Sequence, residues 1–267
     1  MLKLGQINFI NCLPVNMPLA RKGLSSIAGK FEYEIIEGPP SKLNEMLKNG
    51  ELDLAPISSY EFLKNRDLYQ NLEGISISSK KQADSVLFFC DLEFWNKENK
   101  VIHITDKSAT SVNLLKIILE KSYGLDISKI EFLKFSENKR YDAKLVIGDE
   151  ALQEKEPYEE VIDLGTKWFE LTNLPMVFAV WAVNKNSALY QDPKLFKAFN
   201  EEIAIFKNQS LDELYPDMII EAYKVSGLSK TLLKQYFRNL DYNFNEKHQE
   251  SLKLFSQFLG YNLVGVS

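Results

Sequence analysis

Near the start of the chain an asparagine follows a strand-like run. In INFINCLPV, residues 7–15, Ile7, Phe9 and Ile10 suit a pleated, half-buried surface, and Asn11 ends it. Ligands of open α/β sheets bind outside the carboxyl ends of strands. An amide placed there can donate to and accept from a ligand, or it can satisfy the backbone of the turn. Pro14 predicts an extended or turn backbone at Leu13. In DKSATSVNLL (106–115) a strand feeds a loop of small hydroxylated residues and then a helix. Ser108, Ala109, Thr110 and Ser111 at that helix start would offer free N–H groups and hydroxyls to an anion. One carboxylate fits better than a phosphate, since no Gly-rich P-loop accompanies them. Ordinary N-capping is the alternative. PISSYEF (56–62) repeats the arrangement more weakly with Ser58 and Ser59. In VIGDEAL (146–152) Asp149 ends a strand, where it would be a base, bind a substrate hydroxyl, or cap the next helix. Ser85 stands where the chain is expected to cross between lobes, as a ligand-binding or bend hydroxyl.

The composition narrows the partners. The chain has 267 residues, 45% hydrophobic and 26% charged, with a net charge of −5 and a pI of about 5.3. That balance argues against nucleic acid or an anionic membrane as partner. Arginine is confined to Arg21, Arg66, Arg140 and Arg238, so an anionic substrate would lean on hydroxyls and backbone N–H groups. Two cysteines, Cys12 and Cys90, read as free thiols, and two histidines, His103 and His248, have no metal-ligand spacing. No Ser-His-Asp or Cys-His arrangement is available. The longest apolar run, LPMVFAVWAV (174–183), is about half a membrane span. With no export signal legible, the expected location is the cytoplasm.

These residues need elements to place them. Strands are predicted at 3–10, 32–37, 52–57, 85–90, 101–105, 130–135, 143–149 and 176–183, with 161–165 in or beside the sheet. Helices are predicted at 41–50, capped by Ser41 and stopped by Gly50, at 58–66, and at 110–124, and four more fill 193–207, 210–225, 229–239 and 246–259. The strand-helix-strand cycles give an α/β protein, either one doubly wound sheet or two lobes joined by crossing strands at 86–90 and 178–184. The second layout is that of a type II periplasmic-binding-protein-like fold with an interlobe cleft. It makes one lobe of 1–88 with 181–267, carrying a helical tail, and another of 89–180.

Five segments in register, INFINCLPV, NGELDLAPISSYEFLKN, SATSVNLLKIIL, LVIGDEAL and DLGTKWFELTNLPMVFAVWAV, resemble the chorismate dehydratase family of the futalosine route to menaquinone. Each motif is weak alone; together they span nearly the whole chain. The resemblance implies the two-lobed fold, no metal or organic cofactor, and conversion of the dianion chorismate to 3-[(1-carboxyvinyl)oxy]benzoate and water. It also implies that Asn11, the amide of the family's N-terminal motif, belongs to the active site. The sister family, 1,4-dihydroxy-6-naphthoate synthase, is the alternative; its pattern carries a histidine where this chain has Gly148. A non-catalytic anion-binding protein is a further one.

Overall fold

The computed structural model describes residues 1–22, 32–137, 139–154 and 156–261. In the first sheet β1 (Leu2–Gln6) is central to a parallel trio with β2 (Tyr33–Glu37) and β3 (Leu54–Ser58). The helix α2 (Pro40–Lys48) makes the crossover between β2 and β3, which therefore run parallel, as the sequence predicts. The order is completed antiparallel by β10 (Met176–Asn184), β4 (Tyr69–Ser79) and the short β11 (Leu240–Asp241), giving β11-β4-β10-β3-β1-β2. The second sheet, β7-β6-β8-β5-β9, is built from β5 (Val86–Cys90), β6 (Lys100–Ile104), β7 (Ile130–Lys134), β8 (Ala143–Ile147) and β9 (Glu160–Asp163). A single doubly wound sheet is thereby excluded.

The expected boundaries at 88/89 and 180/181 fall inside β5 and β10, each of which belongs wholly to one sheet. The chain changes sheets in the segments 80–85 and 164–175, the second formed largely by α6 (Leu164–Thr172). The two passages touch: a Cβ on Gly165 would stand 2.7 Å from Ser79 Oγ and 2.9 Å from the Lys81 carbonyl oxygen. The Asp163 carboxylate caps α6 at Thr166 N–H and also accepts from the Ala83 and Asp84 N–H groups, binding one passage to the other.

Three local expectations change. Leu13 is helical (φ −54°, ψ −35°), because Pro14 sits in the first turn of α1 (Leu13–Lys22), where a missing N–H costs nothing. The first strand ends at Gln6, not at residue 10. Pro39, not Ser41, occupies the cap position of α2, with no side-chain cap bond. β4 goes unrecognised from sequence because Gln70, Asn71 and Gly74 read as turn chemistry. The strand keeps its ladder through two register shifts against β10, and its buried Ser76 and Ser78 hydroxyls bond each other at 2.7 Å. The remaining helices are α3 (Ser59–Lys64), α4 (Ala109–Lys121), α5 (Gly148–Gln153), α7 (Ala188–Gln191), α8 (Pro193–Leu211), α9 (Tyr215–Ser226), α10 (Lys230–Asn239) and α11 (Glu246–Phe258). The last two lie where the sequence predicts them, whereas α8 runs through the expected break to Leu211 and α9 begins at Tyr215, not at residue 210; the four pack Phe199, Phe206, Tyr236 and Phe255 into a core shared with both sheets.

Candidate active site between the lobes

The strands that run parallel deliver their carboxyl ends to a cavity between the sheets. The first lobe contributes Ile7, Phe9, Asn11, Cys12, Ser58, Ile77, Phe178 and Leu240 to its wall. Ser85 comes from the passage, and Val86, Lys107, Ser108, Ser111, Ile147 and Gly148 from the second lobe. The space, open mouth included, is about 690 Å³, and its lining is largely apolar. A second hollow adjoins it along Ile7, Phe9, Pro40 and Lys107, rimmed by Glu37, Gly38 and Pro39.

Asn11 sits in a short 3-10 turn (Ile10–Cys12) that is anchored on several sides. Cys12 N–H donates to the Phe9 carbonyl at 2.9 Å, Asn16 Nδ2 donates to the Ile7 carbonyl at 2.9 Å, and the Tyr242 hydroxyl donates to the Asn11 carbonyl at 2.9 Å. The Asn11 side chain is therefore held by a fixed backbone at the wall. Ser85, 4% exposed, is held from the other side, since its carbonyl accepts from Gly148 N–H at 2.7 Å. Gly148 has φ +64°, a conformation that favours glycine.

The helix starts differ in what they do with their hydroxyls. Ser58 and Ser108 line the cavity and cap α3 and α4, accepting from Glu61 N–H and Ser111 N–H, each at 3.2 Å. Ser111 Oγ lies 3.0 Å from Ser108 Oγ, on the wall. Ala109 is exposed, and its amide, like that of Thr110, stands at the start of α4 without a partner in the helix. Two of the expected binding side chains point elsewhere. Ser59 Oγ donates to the Val177 carbonyl at 2.7 Å, and Thr110 Oγ1 accepts from Tyr60 N–H at 2.9 Å, tying α4 to α3 across the lobes. Both are fully buried and neither lines the cavity, because each hydroxyl satisfies a backbone group in a dry contact.

Asp149 stands behind the wall. Its Oδ1 is buried without a partner among the described residues, and the Ile10 N–H faces its carboxylate. Burial raises it from 3.8 to about 6 against the lowering effect of Ile10, and Glu150 adds to the rise. The Cys12 thiol is pushed up to about 12 by burial and by Asp149. Both cysteines are free and buried.

Two residues at the site, one on the wall and one behind it, escape sequence reasoning. Lys107, which pairs with Glu150, is the only cationic side chain on the wall among the described residues; it was visible in DKSATS beside the hydroxyls. Tyr236, whose hydroxyl reaches Ser85 and the Asn11 side chain, lies in a tail helix with no motif to mark it. The histidines lie elsewhere. His103 packs against Tyr141 and Phe135 in β6, with burial lowering it, and His248 completes the capping box of α11. No helix among the described residues is long and apolar enough to cross a membrane, and no three of their His, Cys, Asp or Glu side chains are grouped to hold a metal ion.

Two lobes, each with a mixed sheet, and a cavity at their strand ends define the periplasmic-binding-protein class of α/β fold. Solved structures agree. A protein from Archaeoglobus fulgidus has a TM-score of 0.69 at 18% identity, covering 97% of this chain and 96% of that one. The periplasmic aliphatic sulphonate binding protein SsuA from Escherichia coli has a TM-score of 0.64 at 14% identity, covering 97% and 88%. A family model for menaquinone biosynthesis matches residues 2–260, and the chain belongs to that family. It is 31% identical over 247 residues to the chorismate dehydratase of Campylobacter jejuni, covering 88% of this chain and 95% of the relative. It is 29% identical over 280 residues to that of Thermus thermophilus, covering 96% and 94%.

Proposed function

We propose that this chain is a hydro-lyase, a chorismate dehydratase, which removes water from chorismate to give 3-[(1-carboxyvinyl)oxy]benzoate. A cytoplasmic location goes with that reading. The observation that carries it is an apolar interlobe cavity whose polar groups, among the described residues, gather at a helix start free of acidic residues, at Ser58, and at Asn11 and Ser85. That pattern suits a flat dianion with one hydroxyl to lose. A carboxylate at the start of α4 meets the hydroxyls of Ser108 and Ser111 and the positive end of the helix dipole, with Lys107 beside it. Ser58 is a second polar contact.

The ring then presents its hydroxyl to Asn11 and Ser85. The proton on the ether-bearing carbon leaves to a base, the electron pair of that C–H bond enters the ring, and the neighbouring C–O bond breaks. The hydroxyl departs as water, and the ring becomes aromatic, which drives the reaction forward. An amide is a poor base. Asp149 does not line the cavity, so the enolpyruvyl carboxylate of the substrate, folded over the ring in the closed cleft, is the base of this reading. The sister activity is disfavoured because its pattern carries a histidine where this chain has Gly148.

Incubation with chorismate, followed by the absorbance of the substituted benzoate, tests the reading. The wild-type protein is expected to form it, and Asn11→Ala, with its fold intact by circular dichroism, to lose about a hundredfold in kcat. Normal turnover by Asn11→Ala would remove Asn11 from the chemistry, and an inactive wild type would end the reading.

A further inference from the structure

Tyr236 is 1% exposed on α10, its hydroxyl lies 3.1 Å from Ser85 Oγ, and the Asn11 side chain stands near enough to favour its ionised form, against the opposing effect of burial. One buried hydroxyl thus stands beside two of the polar groups on the cavity wall. The neighbours fix the direction of the bonds. Asn11 Oδ1 accepts from the Cys12 thiol at 3.5 Å, and that thiol keeps its proton because burial and the adjacent Asp149 oppose its ionisation. With its carbonyl end on Cys12, the Asn11 amide turns its NH2 end to Tyr236, and the phenol oxygen accepts. Burial, with Asp149 and Cys12 close by, keeps the phenol protonated. Its single proton is then available to Ser85 Oγ, which leaves the serine proton directed into the cavity.

We propose that Tyr236 is a positioning residue that polarises a chain of hydrogen bonds from Asn11 N–H through its own hydroxyl to Ser85, so that Ser85 Oγ is a committed donor to the hydroxyl that the substrate loses. The inference rests on the dehydratase reading above. Ser85 lends a hydrogen bond and no net proton: the C–O electron pair leaves with the hydroxyl, and the proton that completes water is the one removed from the ring carbon. Without the phenol, Ser85 is free to rotate, and its oxygen can accept from the substrate hydroxyl, which does nothing for the departing charge.

The test compares wild type, Tyr236→Phe, Ser85→Ala and the double variant with chorismate. Tyr236→Phe is expected to lower kcat about ten- to hundredfold with KM within about threefold of wild type, and Ser85→Ala in that background to cost little more. A purely structural role would instead lower the melting temperature and raise KM. Unchanged kcat in Tyr236→Phe, or losses that multiply in the double variant, would overturn the proposal while wild-type turnover preserved the dehydratase reading. An inactive wild type would overturn that reading and the proposal with it. Should Tyr236→Phe fail to fold, 3-fluorotyrosine placed at position 236 keeps the shape and makes the phenol more acidic. A changed kcat at constant KM then supports the proposal, and an unchanged kcat overturns it.

Discussion

Helices α4 and α5 begin side by side. They follow β6 and β8, which are parallel neighbours in one sheet, so both starts face the same cavity. α4 runs for 13 residues, with no acidic residue in its first turn and Ser108, Ala109, Thr110 and Ser111 at its head. α5 runs for six and carries Asp149 and Glu150 there. The same topology has produced one electropositive end and one end whose dipole is cancelled by its own carboxylates. Glu150 further draws Lys107 to its side. The comparison teaches that strand order selects where a ligand can lie, whereas the residues of a single helical turn select its charge.

The sharpest way to break the contrast is to make α4 resemble α5. Ala109→Glu adds an acid at an exposed first position, where the helix itself gains from it. Stability is expected to hold or rise slightly while KM for chorismate rises by at least about tenfold, since like charges near a protein surface repel by about 1–2 kcal/mol or more. An unchanged KM in steady-state kinetics would take the substrate carboxylate away from α4. The next largest effect concerns α5. Asp149 titrates at about 6 in the folded chain against 3.8 ordinarily, so the fold binds its proton more tightly than the unfolded chain does. That stabilisation is complete below about pH 4 and is lost as pH rises through about 6. Asp149→Asn should therefore gain about 1–2 kcal/mol on wild type between pH 4 and pH 7 in urea melts, allowing for partial solvent contact. A constant difference across that range would refute the buried, unpaired carboxylate. The smallest change is Thr110→Val, which strands the Tyr60 N–H. It is expected to cost about 1 kcal/mol in thermal unfolding and to move KM far less than Ala109→Glu does.

Much of this was legible in the sequence. Asn11, Ser58, Ser85, Ser108 and Ser111 reach the cavity because strand ends and capping hydroxyls leave a local signature. Side-chain direction within a capping pair does not. Ser58 and Ser59 are adjacent and chemically identical, yet the first faces the cavity and the second bonds Val177, a choice made by β10 packing more than a hundred residues away. Tyr236 was beyond reach for the same reason, since its partner Ser85 is 151 positions distant. The lobe boundaries shifted because a buried strand such as β5 or β10 reads alike whether it stays in one sheet or passes between two. Resemblance to a family supplied the substrate; spacing alone supplied only an anion.

Asp163 holds the two interlobe passages together through the N–H groups of Ala83 and Asp84, and Gly165 lets them touch. One carboxylate therefore sets the spacing of both connections at once, and with the Tyr60–Thr110 tie it keeps the start of α4 in a fixed relation to the lobe that carries Asn11.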